Sequence, residues 1–433
     1  IHLTTGKGFF EQYKADQQLA DYGLDSLTSD LVRQRWLDND FYGFTSTIQI
    51  GSPLERYLVL GGGWNRYLGN HFGYVISTDE GPLFTPHTYY LNEADKRDWN
   101  VFGRTNIKLS DAVDATIDLQ GRWIKYSFEG PDQNGNLTNQ EIGHQFFNPK
   151  LGLHYSLSGK WSLYGLTGLM NKEPNRDDYT ESTPLSRPHS EQLWDNELGI
   201  KYVVSNFNFE LVGYYMDYYD QLVLTGRLND VGAYTRVNVD RSHRAGIETT
   251  FQSSSIKNLT LNGTFTLSEN RIKMYDEYID NWDSGLQEIV QHENTQIAFS
   301  PNLTTGLQSA YTVFAKSTHN ISLQLSGKYV GKQFVDNTSN EASLLDAYTV
   351  IDGGVSWTWK TLWAKEFRLS LFVKNIFDHQ FESNGWIYRF RSAGSDPTPD
   401  DPYAGRENGS LYHLKGYFPQ AGTHFYVTAS VAF

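Results

Sequence analysis

Cysteine is absent from the 433 residues, so no disulfide framework holds the chain. That is compatible with a reducing compartment or with export of a protein that needs no such bridges. Long apolar runs are missing too: nothing approaches the roughly 20 apolar residues that a spanning helix requires, which excludes a helical membrane protein. Positive charge is scarce, with 36 Lys and Arg against 50 Asp and Glu and a formal net charge of -14. A nucleic-acid partner rewards clustered cations and is not expected. The opening IHLTTGKGFF lacks the basic and apolar regions of a signal peptide, so a mature chain or a fragment is expected. Catalytic signatures are missing as well. His292 in HENTQ has no second histidine at zinc-protease spacing, and neither a G-x-S-x-G elbow nor a Gly-rich phosphate loop occurs. Neither an enzyme nor a bound cofactor is expected.

Aromatic residues are abundant, with 28 Tyr, 25 Phe and 11 Trp, while mean hydropathy is only -0.52. This balance favours strands with aromatic anchors. Period-two alternation confirms the preference. In DAVDATIDLQGRW, Val113, Ala115, Ile117, Leu119 and Trp123 share one face and Asp114, Thr116, Asp118, Gln120 and Arg122 the other. The closing GTHFYVTASVAF sets Phe425, Val427, Ala429, Val431 and Phe433 against Tyr426, Thr428 and Ser430. A soluble sandwich turns such apolar faces inward; a transmembrane barrel turns them toward lipid and the polar faces toward a lumen.

The connectors decide between these readings. Sixteen strands are expected, near residues 1–13, 40–50, 54–66, 97–109, 112–128, 147–157, 160–170, 193–204, 206–226, 232–252, 257–270, 297–314, 318–333, 347–360, 366–378 and 422–433. Every second connector is short (TLWAKE, AKSTHN, SSSIKN, VSNF, LSGK, LSDA, IGSPLE). The others are long, over 14–39, 67–96, 129–146, 171–192, 271–296, 334–346 and 379–421, with LNDV near 228–231 as the exception. Short turns at one end and long loops at the other are the pattern of an outer-membrane barrel, and a sandwich has no reason to sort its loops by parity. Tyr214, Tyr215, Tyr218 and Tyr219 then fall where an interfacial aromatic girdle is expected.

The expected loops carry Tyr89, Tyr90, Trp99, Trp282, Trp386, Tyr388, Arg389 and Arg391, which are candidate ligand contacts. Aromatic and Arg side chains recognise planar or anionic ligands. GWIYRFR (385–391) is the densest such patch, and contact with lipopolysaccharide at the barrel lip explains it equally well. The acidic stretches YDEYIDNWDSG and GSDPTPDDPYAG lack EF-hand spacing and read as solvated loops rather than calcium sites. No metal ligand set is assigned to the scattered histidines, His292 and His413 among them.

Several elements together resemble the C-terminal barrel portion of a TonB-dependent outer-membrane receptor of the Bacteroidetes type. Asn375-Ile376-Phe377-Asp378 with Phe381 is similar to the family's N-L-F-N-x-x-Y element, and Tyr417-Phe418-Pro419-Gln420-Ala421-Gly422 to its Y-x-P-x-P-G element, with Ala421 where proline is usual. Ser190-Glu191-Gln192-Leu193 with Asn196-Glu197-Leu198-Gly199 resembles P-E-x-x-x-x-E-x-G, and Asn238 with Arg244-Ala245-Gly246-Ile247-Glu248 resembles the N…G-V-E strand. The resemblance implies a barrel of about 22 strands closed by a plug domain. The plug, the TonB-contacting segment and about six strands would then precede Ile1. It also implies import of a scarce nutrient, a ferric siderophore or other metal chelate, energised by the TonB complex. Outer-membrane lipid and lipopolysaccharide would be neighbours, with a surface lipoprotein as a further partner. Cobalamin, haem, an oligosaccharide, or a passive porin of 16 strands are the alternatives.

Overall fold

The computed structural model describes residues 3–15, 29–52, 56–78, 81–132, 138–180, 187–228, 234–360 and 364–433. The chain divides into two units, residues 1–108 with 116–150 and residues 109–115 with 151–433. Among the described residues no helix is long and apolar enough to cross a membrane. Among the described residues helix is confined to the short α1 (Arg176–Thr180) and a 3-10 turn at Glu341–Ser343.

The first unit contains β1 (Leu3–Ala15), β2 (Ser29–Ser52), β3 (Arg56–Thr78) and β4 (Gly81–Lys108), joined as antiparallel neighbours in chain order. β5 (Val113–Glu129) and β6 (Gln140–Ser156) follow, each lying partly in this unit. Register sets Phe44 opposite Trp64 and Trp64 opposite Trp99. Their rings stand 6.4 and 5.8 Å apart, an aromatic row across three strands. Between this row and the Ser52 end of β2, one face carries exposed Ile48, Ile50, Leu60 and Val101. Beyond the row the ladder continues with polar pairs, such as Arg66 on Asp95 at 2.9 Å and Tyr67 donating to Asn39 at 2.6 Å.

The second unit begins with β7 (Trp161–Lys172), β8 (Glu191–Val204), β9 (Phe207–Leu228), β10 (Tyr234–Ser253), β11 (Leu259–Asn281), β12 (Leu286–Gln296), β13 (Leu303–Ala315) and β14 (His319–Val330). It continues with β15 (Gln333–Phe334), β16 (Leu344–Leu345), β17 (Tyr348–Trp359), β18 (Glu366–Lys374), β19 (Glu382–Arg391), β20 (Ala404–Asn408), β21 (Leu411–Pro419) and β22 (His424–Ala432). The antiparallel wall runs β7-β8-β9-β10-β11-β13-β14-β17-β18-β22. Across its last five strands Tyr311, Leu323, Val355, Leu371 and Val427 are successive cross-strand partners, and all are exposed. On the opposite face Asn262, Gln308, Ser326 and Asp352 form a polar row in the same way. With Lys201 and Lys374 that row borders a cavity of about 1080 Å³.

The sixteen expected strands all fall on observed ones, and 171–192 and 334–346 are largely free of strand over their described residues, but several other expected long loops are largely strand. β2, β3 and β4 extend through much of 29–39 and 67–96, and 271–296 is a hairpin of β11 with β12. The 379–421 region holds β19, β20 and β21. β12 pairs only with Arg271–Asn281, whereas β13 takes Leu259–Leu267 of the same strand. The physical reason is that lipid imposes a visible apolar parity only over the roughly 9–11 residues that cross it. Beyond that height the backbone ladder persists while the side chains turn polar on both faces. Of the aromatic girdle, Tyr215 and Tyr219 are exposed, while Tyr214 and Tyr218 point to the other face. Residues 229–231 of LNDV, the first three residues of TLWAKE and the last three of IGSPLE lie outside the described residues.

Candidate ligand-binding face

The far half of β11 and the strand β19 build one face. They meet in parallel at Asp280 with Phe390 and Asn281 with Arg391. The Trp282 ring stacks on buried Phe390 at 3.7 Å between centroids, yet the residue remains 51% exposed. Its indole N–H donates to the Tyr388 hydroxyl at 3.2 Å, and that hydroxyl donates to Asp280 at 2.6 Å. Arg227 of β9 lies over the Tyr388 ring at 5.0 Å, a cation–π arrangement, and comes within 3.6 Å of Asp280. Arg391 pairs with Glu288 of β12 at 2.5 Å. Burial raises the Tyr388 hydroxyl above the usual phenol range, and the Asp280 hydrogen bond adds to it.

Behind this face, the Arg389 side chain is only 3% exposed. It bonds Glu277 of β11 at 3.1 Å and Glu407 of β20 at 2.7 Å, and it contacts Asp336 in the segment between β15 and β16. Each acid has further donors. His292 bonds Glu277 at 2.9 Å, His413 bonds Glu407 at 3.1 Å, and Thr338 donates through both N–H and hydroxyl to Asp336. Burial opposes ionisation of Glu407, but the His413 hydrogen bond and then the Arg389 charge bring its pKa down to about 2. Glu277 is lowered by the same balance, with His292 first and Arg389 second against burial.

The eight candidate contacts therefore separate. Trp282 and Tyr388 share one face with Phe390, whereas Arg391, paired with Glu288, lies on the same side of β19 as the buried Arg389. Trp386 packs on β21, where a Cβ at Gly416 would come 2.3 Å from its indole nitrogen. All four GWIYRFR candidates sit on a strand rather than a loop. Tyr89, Tyr90 and Trp99 belong to β4 of the first unit. The Tyr90 ring is buried against Tyr89 at 4.9 Å, and Trp99 is 51% exposed in the aromatic row. Sequence reasoning missed Arg227, Glu277, Asp280, Asp336 and Glu407. The signal was the acidic YDEYIDNWDSG stretch, whose carboxylates meet Arg, Tyr and His partners, while its Asp283 accepts the Ala393 and Gly394 N–H groups at 2.6 and 3.0 Å.

The motif-like elements dock on one another. Asn375 takes a left-handed φ of 49°, its carboxamide bonding both the N–H and carbonyl of His379 at 3.0 and 2.9 Å. Asp378 then accepts the Thr423 N–H at 2.8 Å, joining this turn to the start of β22. In the second pair, Asn238 of β10 bonds the backbone of His189, and Glu191 accepts the Leu222 N–H of β9 at 3.0 Å. The family model described as "TonB dependent receptor-like, beta-barrel" matches residues 3–376.

The chain belongs to the TonB-dependent receptor β-barrel family. Its fold is thus an antiparallel transmembrane β-barrel, in a family of outer-membrane receptors and transporters rather than enzymes. Solved TonB-dependent receptors are similar to it in fold. PiuA, a siderophore receptor from Acinetobacter baumannii, aligns at TM-score 0.62 and 13% identity over 93% of this chain and 56% of its own. Fiu, a ferric-catecholate import receptor from E. coli K12, aligns at 0.60 and 12% over 93% and 55%. FyuA, the ferric yersiniabactin uptake receptor from Yersinia pestis, aligns at 0.59 and 12% over 94% and 55%. The chain thus spans little more than half the length of these TonB-dependent receptors. No curated protein sequence matches it.

Proposed function

We propose that this chain is the C-terminal barrel portion of a TonB-dependent receptor, of the Bacteroidetes type, that imports a ferric siderophore. A plug domain and the remaining strands of a barrel of about 22 would come from the rest of the protein, and the plug segment would contact the TonB complex. The observation that carries the reading is the Trp282, Tyr388, Arg227 face, where rings and a guanidinium stand together above the membrane-crossing half of β11. Such a surface suits the aromatic rings and anionic oxygens that a ferric chelate presents at its periphery. Trp282, Tyr388, Arg391 and Trp386 are the contacts proposed in the second unit; Tyr89, Tyr90 and Trp99 of β4 are proposed separately, as contacts of the first unit. Lipopolysaccharide and a surface lipoprotein are the proposed outer neighbours.

The test is uptake by cells carrying a deletion of the gene, supplied separately with radio-iron hydroxamate and catecholate chelates, haem and cobalamin. Loss of TonB-dependent uptake of an iron chelate supports the reading. Loss of haem or cobalamin uptake alone moves the assignment to that cargo, and wild-type uptake of all of them removes it.

A further inference from the structure

We infer that Arg389 is the positioning residue of this ligand face, acting through its neighbours and not by touching cargo. The inference rests on the import reading for its consequence, but its geometry stands alone. Three carboxylates from three separate segments converge on one buried guanidinium: Glu277 from the β11–β12 hairpin, Asp336 from the segment between β15 and β16, and Glu407 from β20. None lies on a membrane-crossing half of a strand. Immediately beside Arg389 on β19, Tyr388 and Arg391 reach Asp280 and Glu288 on the same β11–β12 hairpin. The guanidinium thus holds in one place the two strands whose junction displays Trp282, Tyr388 and Arg391.

Removing the cation leaves three enclosed carboxylates facing each other, which is strongly unfavourable; protonation or separation of the segments relieves it, and in either case the link among the three segments is gone. The wall is independent of this, because β11 pairs with β13 and β10 through residues 259–272. The segment carrying Asp336 also keeps a second anchor, since Asn337 accepts the Ala298 N–H at 2.8 Å and donates to the Leu224 carbonyl at 2.6 Å. Loss of Arg389 therefore loosens the face and spares the barrel. Preorganised surfaces bind more tightly than ones that must order on binding, so the loosening reaches affinity.

The chain has no cysteine, so Leu286→Cys and Tyr403→Cys, both at exposed positions, give it two nitroxide sites. Pulsed dipolar spectroscopy on the whole receptor in outer membranes should give one narrow distance for wild type, a mostly narrow one for Arg389→Lys and a broad one for Arg389→Met. Adding Glu277→Gln, Asp336→Asn and Glu407→Gln to Arg389→Met removes the repulsion but not the missing link, and the distribution should stay broader than wild type. Apparent affinity for radio-iron hydroxamate and catecholate chelates should fall by about tenfold or more in Arg389→Met, with membrane insertion unchanged. A wild-type distance distribution in Arg389→Met overturns the inference, as does failure of that variant and of Arg389→Lys to insert. If wild type takes up neither chelate, the import reading fails while the distance result still decides the clamp.

Discussion

Asn238 holds His189 by both sides of its peptide: the side-chain Oδ1 accepts the His189 N–H at 2.7 Å, and Nδ2 donates to the His189 carbonyl at 3.1 Å. The same Nδ2 donates at 2.6 Å to the carbonyl of Asp220, which has a left-handed φ of 51°. One side chain thus ties the approach to β8 to an irregularity in β9. Asn238→Ala should cost about 1–3 kcal/mol of local stability, read as faster amide exchange at His189 and Leu222. Asn238→Asp, which keeps the acceptor but sets a carboxylate oxygen against two carbonyls, should cost at least as much as Asn238→Ala; unchanged exchange in Asn238→Ala would show that the tie carries no load.

Gly422 is constrained by Asp378. A Cβ at that position would lie 2.4 Å from the Asp378 Oδ1, the atom that accepts the Thr423 N–H. Gly422→Ala should destabilise the docking of β22 by about 1–3 kcal/mol. Pairing it with Asp378→Ala should give less than the sum of the single effects, because the second change removes the obstacle. Heat-modifiability of the folded barrel on gels, with urea titration in detergent, measures both.

Acid should open the Arg389 cluster late. Glu407, at about 2, and Glu277 both titrate below the ordinary carboxylate range. Their folded values are depressed, so their stabilising contribution is complete above about pH 4.5 and is lost as pH falls toward those values. The nitroxide distance between positions 286 and 403 should therefore stay narrow at about pH 5 and broaden only on the way to pH 2. Broadening already complete at about pH 5 would contradict this assignment.

Much of the wall was legible because two solvents write two alphabets on alternate residues. Leu323 and Leu371 face outward and Gln308 and Ser326 the other way, as the alternation requires. The strands above the membrane were not legible. Glu277, Ile279 and Asn281 read as part of an acidic loop although they lie in register with Val290, Glu288 and Leu286. The face was half visible. GWIYRFR pointed to the right strand, but a sequence does not say that Arg389 is enclosed by acids from residues 277, 336 and 407, which only folding brings together.

The two faces of the wall should respond oppositely to charge. Leu323→Arg, on the exposed apolar row, should cost about 2–4 kcal/mol if it lies near the bilayer midplane and less toward an interface. Gln308→Arg, on the polar row, should cost little. Folding titrations into lipid vesicles compare them, and equal penalties would contradict the assignment of faces.

The aromatic row Phe44, Trp64, Trp99 marks a change in what evolution is free to alter. Toward the Ser52 end of β2, every second position answers to lipid, and exchanging an apolar residue for a polar one there is punished. Past the row, register is kept by the backbone ladder, which does not depend on side-chain type, and β4 carries even Pro82 in register with Ser77. Apart from buried positions such as Leu31, Val75 and Asn92, side chains on β2, β3 and β4 can there be replaced without moving a strand, so a receptor built this way can change what it recognises while leaving its membrane body untouched.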